Sequence, residues 1–134
     1  MSTIGAIALS GMNAATLRLE AAASNIANMR SNGPLPDAAN AANYAPVYAP
    51  LEVNQTPNAA GGATASLAPA TRQAVTAYDP SAPYANAQGL VASPDVDLAE
   101  QVVELITSGY AFTANLQTAK ADAEMLATAL AITA

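Results

Sequence analysis

Residues 94–134 read PDVDLAEQVVELITSGYAFTANLQTAKADAEMLATALAITA, and this stretch decides the fold. No proline follows Pro94. Asp97 is placed to cap a helix N-terminus, with Glu100 three residues later as its capping-box partner. Asp95, Asp97, Glu100 and Glu104 crowd the end where the helix dipole favours acids. A 3–4 spacing then begins: Leu98, Val102, Leu105, Gly109, Phe112, Leu116, Ala119, Ala123, Leu126, Leu130, Thr133. Nine of those eleven positions are apolar, the pattern of a coiled-coil seam. The spacing predicts a helix of about 37 residues, roughly 55 Å long at 1.5 Å per residue.

That seam is thin. Gly109, Ala119 and Ala123 occupy core positions, where a buried Leu or Phe is worth roughly 1.5–3 kcal/mol and Ala far less. Ile106, Met125, Ala129 and Ile132 add a second apolar edge beside it. One partner helix would not cover both edges, so the helix is expected to pack on more than one side, as in a bundle or a tube wall. Lys120 and Glu124 are spaced to pair on the outer face, for a few tenths of a kcal/mol.

Ser2 to about Met29 carries no proline and many good helix formers. Leu9, Met12, Leu19, Ala23 and Ile26 fall on one stripe, with Thr16 as a polar gap. This predicts a second long helix, stopped by Ser31-Asn32-Gly33-Pro34. The middle, about Arg30 to Pro94, holds all nine prolines and four of the seven glycines. Short strands are predicted there at Pro50–Gln55 and Ala63–Leu67, joined across Asn58–Gly62, with a third at Ala74–Tyr78. Tyr44-Ala-Pro46 and Tyr48-Ala-Pro50 form a small repeat, read as extended chain.

The fold class expected is therefore mainly α: long terminal helices forming a coiled-coil-like pair or tube-wall bundle, with an irregular middle carrying short β-strands. Residues 1–30 and 95–134 make one axial helical unit, and 31–94 the loop and short-β segment, within one structural unit overall.

Composition narrows the function. The chain has no His, Cys or Trp, which removes most metal ligands and nucleophile–base pairs and all disulfides. No enzyme, catalytic residue, metal site or cofactor is expected. The net charge is −6, with only Arg18, Arg30, Arg72 and Lys120 positive. So few cations cannot neutralise many phosphates, which argues against nucleic acid and against an anionic membrane surface. The 52% hydrophobic content includes 36 alanines. Val, Ile, Leu and Phe together number 25 of 134, just under the rough 20% level at which globular cores become doubtful. Such a chain is sticky yet short of core-forming side chains, and a partner is expected to complete it. MSTIGAIALS lacks the basic segment of a secretory signal, and no stretch approaches the roughly 20 apolar residues of a spanning helix.

Several motifs resemble the flagellar basal-body axial proteins. Ala21-Ala22-Ala23-Ser24-Asn25-Ile26-Ala27-Asn28 is similar to that family's helix ending in Asn-x-Ala-Asn. The block Tyr78-Asp79-Pro80, Pro83, Ala87-Gln88-Gly89-Leu90-Val91, Ser93-Pro94-Asp95-Val96-Asp97 resembles the "DP…P…ANGYV…PNVD" block of the short proximal-rod type. Tyr110-Ala111-Phe112-Thr113-Ala114-Asn115 resembles the family's C-terminal "Y-x-A-N" helix. The motifs occur in matching order, and the length suits a short rod protein. There are departures: Met29-Arg30-Ser31 follows the Asn-x-Ala-Asn, Gly-Tyr-Val reads Gly89-Leu90-Val91, and Ser108-Gly109 stand where an Arg usually precedes the Tyr.

The resemblance implies a structural subunit of the bacterial flagellar basal-body rod, the drive shaft between motor and hook. It implies export through the flagellar apparatus without a cleaved signal peptide and assembly in the periplasm, with no span of the membrane. The implied partners are copies of itself, other rod and axial proteins, and the export apparatus. The assembly interface expected is Leu9, Met12, Leu19, Asn25, Ile26, Asn28, Leu98, Val102, Leu105, Phe112, Asn115, Leu116, Leu126 and Leu130. The family-motif positions are Asp79, Pro80, Gly89, Pro94, Val96, Asp97 and Tyr110.

Blander readings stand beside these. Asp95 and Asp97 form a D-x-D that reads as helix capping rather than a metal site, because no further ligands cluster with it. Asp79-Pro80 reads as a turn. Asn25 and Asn28 are either interface residues or helix stops. The 3–4 seam is either a hairpin core within the chain or an assembly surface, and the thin core with its second edge favours assembly. Rival functions are another rod or secretion-linked axial paralogue, and a free-standing helical binding module or chaperone.

Overall fold

Proline-free sequence at both ends becomes two long helices in the computed structural model, which describes residues 3–39, 41–59 and 61–133. Helix α1 is Thr3–Asn28 and α2 is Leu98–Thr133. Between them, among the described residues, lie four strands, β1 Leu51–Pro57, β2 Ala63–Pro69, β3 Ala74–Tyr78 and β4 Leu90–Pro94, and one 3-10 turn, Ala41–Asn43. β1 and β2 form an antiparallel hairpin, Val53 opposite Leu67. β3 and β4 form a second antiparallel pair, Thr76 opposite Ala92. No helix among the described residues is long and apolar enough to cross a membrane.

The three expected strands are present, each starting within a residue of its expected position. β4 and the 3-10 turn were not expected. Leu90–Pro94 is short and ends on proline, so its local pattern is weak. What makes it a strand is distant: β3 on one side, and a two-way backbone bridge between Ala92 and Gly33 on the other. Gly33 has no room for a side chain, since a Cβ there would lie 2.8 Å from the Pro46 carbonyl carbon. Val91 beside the bridge is completely buried.

α1 is the central element. α2 packs antiparallel along one side, with Asn25 opposite Gln101 and Gly11 against Asn115. The β1–β2 hairpin lies along another side, fastened by Arg18 Nη2 donating to Gln55 Oε1 at 2.6 Å and Ala63 N donating to Ser10 Oγ at 3.2 Å. Its tip needs left-handed backbone at Gly61 and Gly62, with φ of 89° and 85°, and rests on Ile7 and Ser10.

The expected apolar seam takes only a partial share in the chain's own packing: Leu105, Phe112, Leu116 and Ala119 are half-buried, while Leu98, Val102, Leu126 and Leu130 stay exposed. The stripe of α1 that meets α2 is Ala8, Gly11, Ala15, Arg18, Ala22, Asn25. On α2 the stripe facing it carries Gln101, Ser108, Asn115 and Asp122, one heptad apart. The expected α1 stripe of Leu9, Met12, Leu19, Ala23 and Ile26 sits one residue, about 100°, around the helix. The physical reason is size. Alanine and glycine let two helix backbones approach closely, and short polar side chains then fill the narrow gap. A search for large apolar residues passes over such a contact. The buried apolar residues are accordingly Ala8, Ala14, Ala15, Ala21, Ala22, Ala38, Val91 and Ala92. No Leu, Ile or Phe is among the buried apolar residues described.

Candidate assembly interface

Inside the hairpin, Asn25 is the hub. It is 3% exposed. Its Nδ2 donates to the Leu51 carbonyl at 2.8 Å and to Gln101 Oε1 at 3.0 Å. Its Oδ1 accepts from Leu51 N at 2.8 Å and from the Tyr48 hydroxyl at 3.0 Å. An Asn amide offers two donors and two acceptor sites, and all four are used. One side chain thus ties α1, β1, α2 and the second Tyr-Ala-Pro repeat together. Ser24 Oγ lies 2.9 Å from the same Tyr48 hydroxyl. Asn28 donates to the Ser24 carbonyl at 3.0 Å and ends the helix. Asn25 therefore lies inside the chain, not on its outer surface, and Asn28, the last residue of α1, is half-buried. Asn115, half-buried against Gly11, donates back to the Ala111 carbonyl at 2.8 Å and also faces inward.

Arg18 bridges the same region. It lies 3.7 Å from Glu104 across the helix pair while holding Gln55. Both ion-pair partners are about 40% exposed, so the pair is worth at most about 1 kcal/mol. Ser108, 1% exposed, donates to Glu104 Oε1 at 3.1 Å. Nothing in the sequence pattern singled out Arg18, Gln101 or Ser108, since polar residues at heptad spacing read as solvent-facing.

The large apolar side chains look outward instead. Leu98, Val102, Val103, Ile106, Tyr110, Met125, Leu126, Leu130 and Ile132 on α2 are exposed, as are Ile4, Ile7 and Leu9 on α1. Leu105, Phe112 and Leu116 are half-buried along the border with α1, and Met12, Leu19 and Ile26 are half-buried on α1. Tyr110 is 74% exposed and Leu130 70%. By the register of Asn25 and Gly11, Thr3 falls level with the turn after Asp122. Glu124–Thr133 thus reaches past the first described turn of α1. Gly109 opens a notch in this face, where a Cβ would meet nothing within 4 Å. Large apolar side chains left exposed together on one element mark a candidate interaction surface.

The motif positions build the approach to α2. Asp79 Oδ1 accepts from Ser81 N at 3.2 Å and Ser81 Oγ at 2.6 Å, an Asx turn. Asp79 N donates to the Gly89 carbonyl at 2.9 Å, closing the loop between β3 and β4. Gly89 has φ 74° and packs between Tyr78 and Pro80, with 3.0 Å to each from an added Cβ. Pro94 is buried at the end of β4, and Val96 is half-buried behind it. Asp97 Oδ1 accepts from Ala99 N at 2.8 Å and Glu100 N at 3.3 Å, a helix N-cap. Asp95 does not cap but pairs with Arg72 at 3.5 Å. Among the described residues no three His, Cys, Asp or Glu side chains are grouped to hold a metal ion.

Three comparisons bear on this arrangement. The family described as "Flagellar basal body rod FlgEFG protein C-terminal" matches residues 87–132, from the turn before β4 nearly to the end of α2. The flagellar basal-body rod protein FlgC of Escherichia coli O6:H1 is 32% identical over 114 residues, covering 83% of this chain and 81% of the relative, and that of Escherichia coli O157:H7 is equally similar. FlgC of Bacillus subtilis is 42% identical over 55 residues, 41% of this chain and 37% of the relative. Polar residues consumed inside the hairpin, apolar ones left outside it, and likeness across most of both chains lead to one conclusion: this chain belongs to the flagellar basal-body rod proteins, a family of structural subunits.

Proposed function

We propose that this chain enters the basal-body rod through the outer face of α2 and the exposed apolar ends of both helices, packing against copies of itself and other rod proteins. The observation that carries this is the division of labour on α2. Its polar heptad, Gln101, Ser108, Asn115 and Asp122, faces α1, while Val102, Val103, Ile106, Tyr110, Leu126 and Leu130 face outward. A helix that spends its small and polar residues inside the chain holds its large apolar residues for a neighbour. In this reading the outer face includes Leu98, Val102, Leu105, Phe112, Leu116, Leu126 and Leu130, with Leu9, Met12, Leu19 and Ile26 continuing it on α1. Asn25, Asn28 and Asn115 contribute indirectly, by holding the helices in register. The subunit reaches the periplasm through the flagellar export apparatus and there transmits torque between motor and hook. Family membership supports that placement.

The test is incorporation into purified basal bodies. Ile106→Asp places a charge on the outward patch of a residue that is 54% exposed, so the chain should fold normally yet fail to enter rods. Gln117→Asp adds the same charge on the polar midsection of α2 and should be incorporated. Equal incorporation of both variants would remove the outer face as an assembly surface.

A further inference from the structure

We infer that two copies of this chain pair edge to edge through β3, antiparallel and centred on Thr76, to make one continuous four-stranded sheet. The surface is separate from the outer face of α2 and does not depend on it. β3 is paired on one side only. Gln73 O accepts from Asp95 N at 3.2 Å and Asp79 N donates to the Gly89 carbonyl at 2.9 Å. Between those bonds Val75 lies opposite Ser93 and Ala77 opposite Val91, so the odd-numbered residues face β4. Ala92 gives both its N–H and its C=O to Gly33, turned away from Thr76. The backbone groups of Ala74, Thr76 and Tyr78 therefore point outward along a free edge, and among the described residues nothing bonds to them. All three residues are exposed.

Such an edge is a template for another strand, and folded chains usually blunt it with proline, charge or cover. The other edges are blunted. Pro57 and Pro69 of the β1–β2 hairpin carry no N–H. Leu51 is spent on Asn25, Ala63 N on Ser10, and β4 is closed by Gly33. Ala74-Val75-Thr76-Ala77-Tyr78 has no proline, glycine or charge.

One register uses the whole edge. Centred on Thr76, it sets Ala74 opposite the second copy's Tyr78, Thr76 opposite Thr76, and Tyr78 opposite Ala74. Each of these three pairs exchanges both its bonds, so every outward N–H and C=O is satisfied. A slip of two residues loses one pair, and a slip of one sets outward groups against inward ones. A cavity lies where this register needs it. Ala92 is opposite Thr76, so Ala74, Tyr78 and Ala92 share one face of the sheet. There Ala74 and Ala92, with Pro34, Tyr44, Pro46 and Val47, line a cavity of about 640 Å³. Tyr44 is braced edge-on by Tyr84, with ring centroids 5.5 Å apart. Tyr78 is 73% exposed, its ring touching the Gly89 side and otherwise open. Directly opposite side chains on paired strands have Cβ atoms about 4.5–5.5 Å apart, so the second copy's Tyr78 stands at the rim of the cavity beside small Ala74. Parallel pairing through the same edge would turn the two faces opposite ways and carry Tyr78 away from it. The pair is symmetric, so it closes rather than propagates and leaves α2 free.

The absence of cysteine from the chain makes the register directly readable. The full-length chain carrying Thr76→Cys is oxidised mildly, with Ile106→Asp also present to block the α2 face. Hydrogen-bonded antiparallel partners lie about 5.5 Å apart at Cα, inside the range a disulfide spans, so the expected product is a dimer with no higher ladder. Val75→Cys, equally accessible but opposite Ala77, should give at most a trace. Equal dimerisation by both variants means random collision and overturns the proposal, as does absence of the Thr76→Cys dimer. Sedimentation equilibrium supplies a second readout, with circular dichroism verifying each fold. Thr76→Pro removes only an outward N–H, which an edge strand tolerates. It should weaken the dimer about tenfold or more, since symmetry deletes two bonds at once. Tyr78→Ala, at an exposed position outside the core, should weaken it by a similar factor. A dimer unaffected by both variants, or a chain that stays monomeric, overturns the pairing; an edge that takes only a different protein's strand would show as the latter.

Discussion

Asn25→Ala removes a side chain that makes four hydrogen bonds to three separate parts of the chain. Four hydrogen bonds disappear, at 2.8, 2.8, 3.0 and 3.0 Å. The Leu51 N–H and C=O suffer most, because they are backbone groups partly shielded by α1 and cannot turn elsewhere. Leaving a buried polar group unpaired costs about 1–3 kcal/mol. Tyr48 and Gln101 are half-exposed and can recover water, so we expect about 3 kcal/mol in total. A chain of this size loses roughly 3–5 °C of Tm per kcal/mol, so the melting point should fall by about 10–15 °C. Helix loss followed at 222 nm by circular dichroism, together with urea unfolding, measures both quantities. Asn28→Ala is the internal comparison. It loses a bond within α1 and a 3.3 Å contact from Ser31, and should cost about 1 kcal/mol or less. If Asn25→Ala destabilises by under about 1 kcal/mol, or no more than Asn28→Ala, the hub assignment is wrong and the helix pair is held by alanine packing alone.

Three further outcomes follow from the glycines and the cap. Gly109→Ala meets no atom within 4 Å, so it should stabilise the isolated chain by about 1 kcal/mol through helix propensity. The same variant should assemble less well wherever a neighbour fills that notch, an opposition of sign that comparison of Tm with rod incorporation would reveal. Gly33→Ala drives a methyl group into the Pro46–Val47 backbone, and should cost about 2 kcal/mol or more, with loss of amide-exchange protection at Ala92 as its local signature. Asp97→Ala strips the cap from Ala99 N and Glu100 N, and should cost about 1 kcal/mol, read as earlier exchange of the first turn of α2 with the rest of the helix unchanged.

What the sequence determined by itself was everything governed by short range. Proline-free helix formers placed both helices, Asp97 placed the start of α2, and the glycines at 61 and 62 placed a hairpin turn. The lack of His and Cys constrained the chemistry, and the surplus of Ala over Leu pointed to a chain that needs neighbours. Asp79 was legible as a turn because an Asx bond spans two residues. Only the tertiary structure decided which face of each helix went inside. An apolar pattern marks where burial is favourable, but it does not say whether the cover comes from the same chain or another. Here two competing stripes share α2, and the polar one won the intramolecular contact. Ala8, Ala15 and Ala22 allow a backbone approach too close for Leu or Phe, and Asn25 satisfies β1 and Gln101 only at that distance. Leu98, Val102, Leu126 and Leu130 of the seam were left facing solvent, while Leu105, Phe112 and Leu116 are half-buried. β4 belonged to the tertiary structure too, since its partners Gly33 and β3 are remote in sequence and no local propensity marks it.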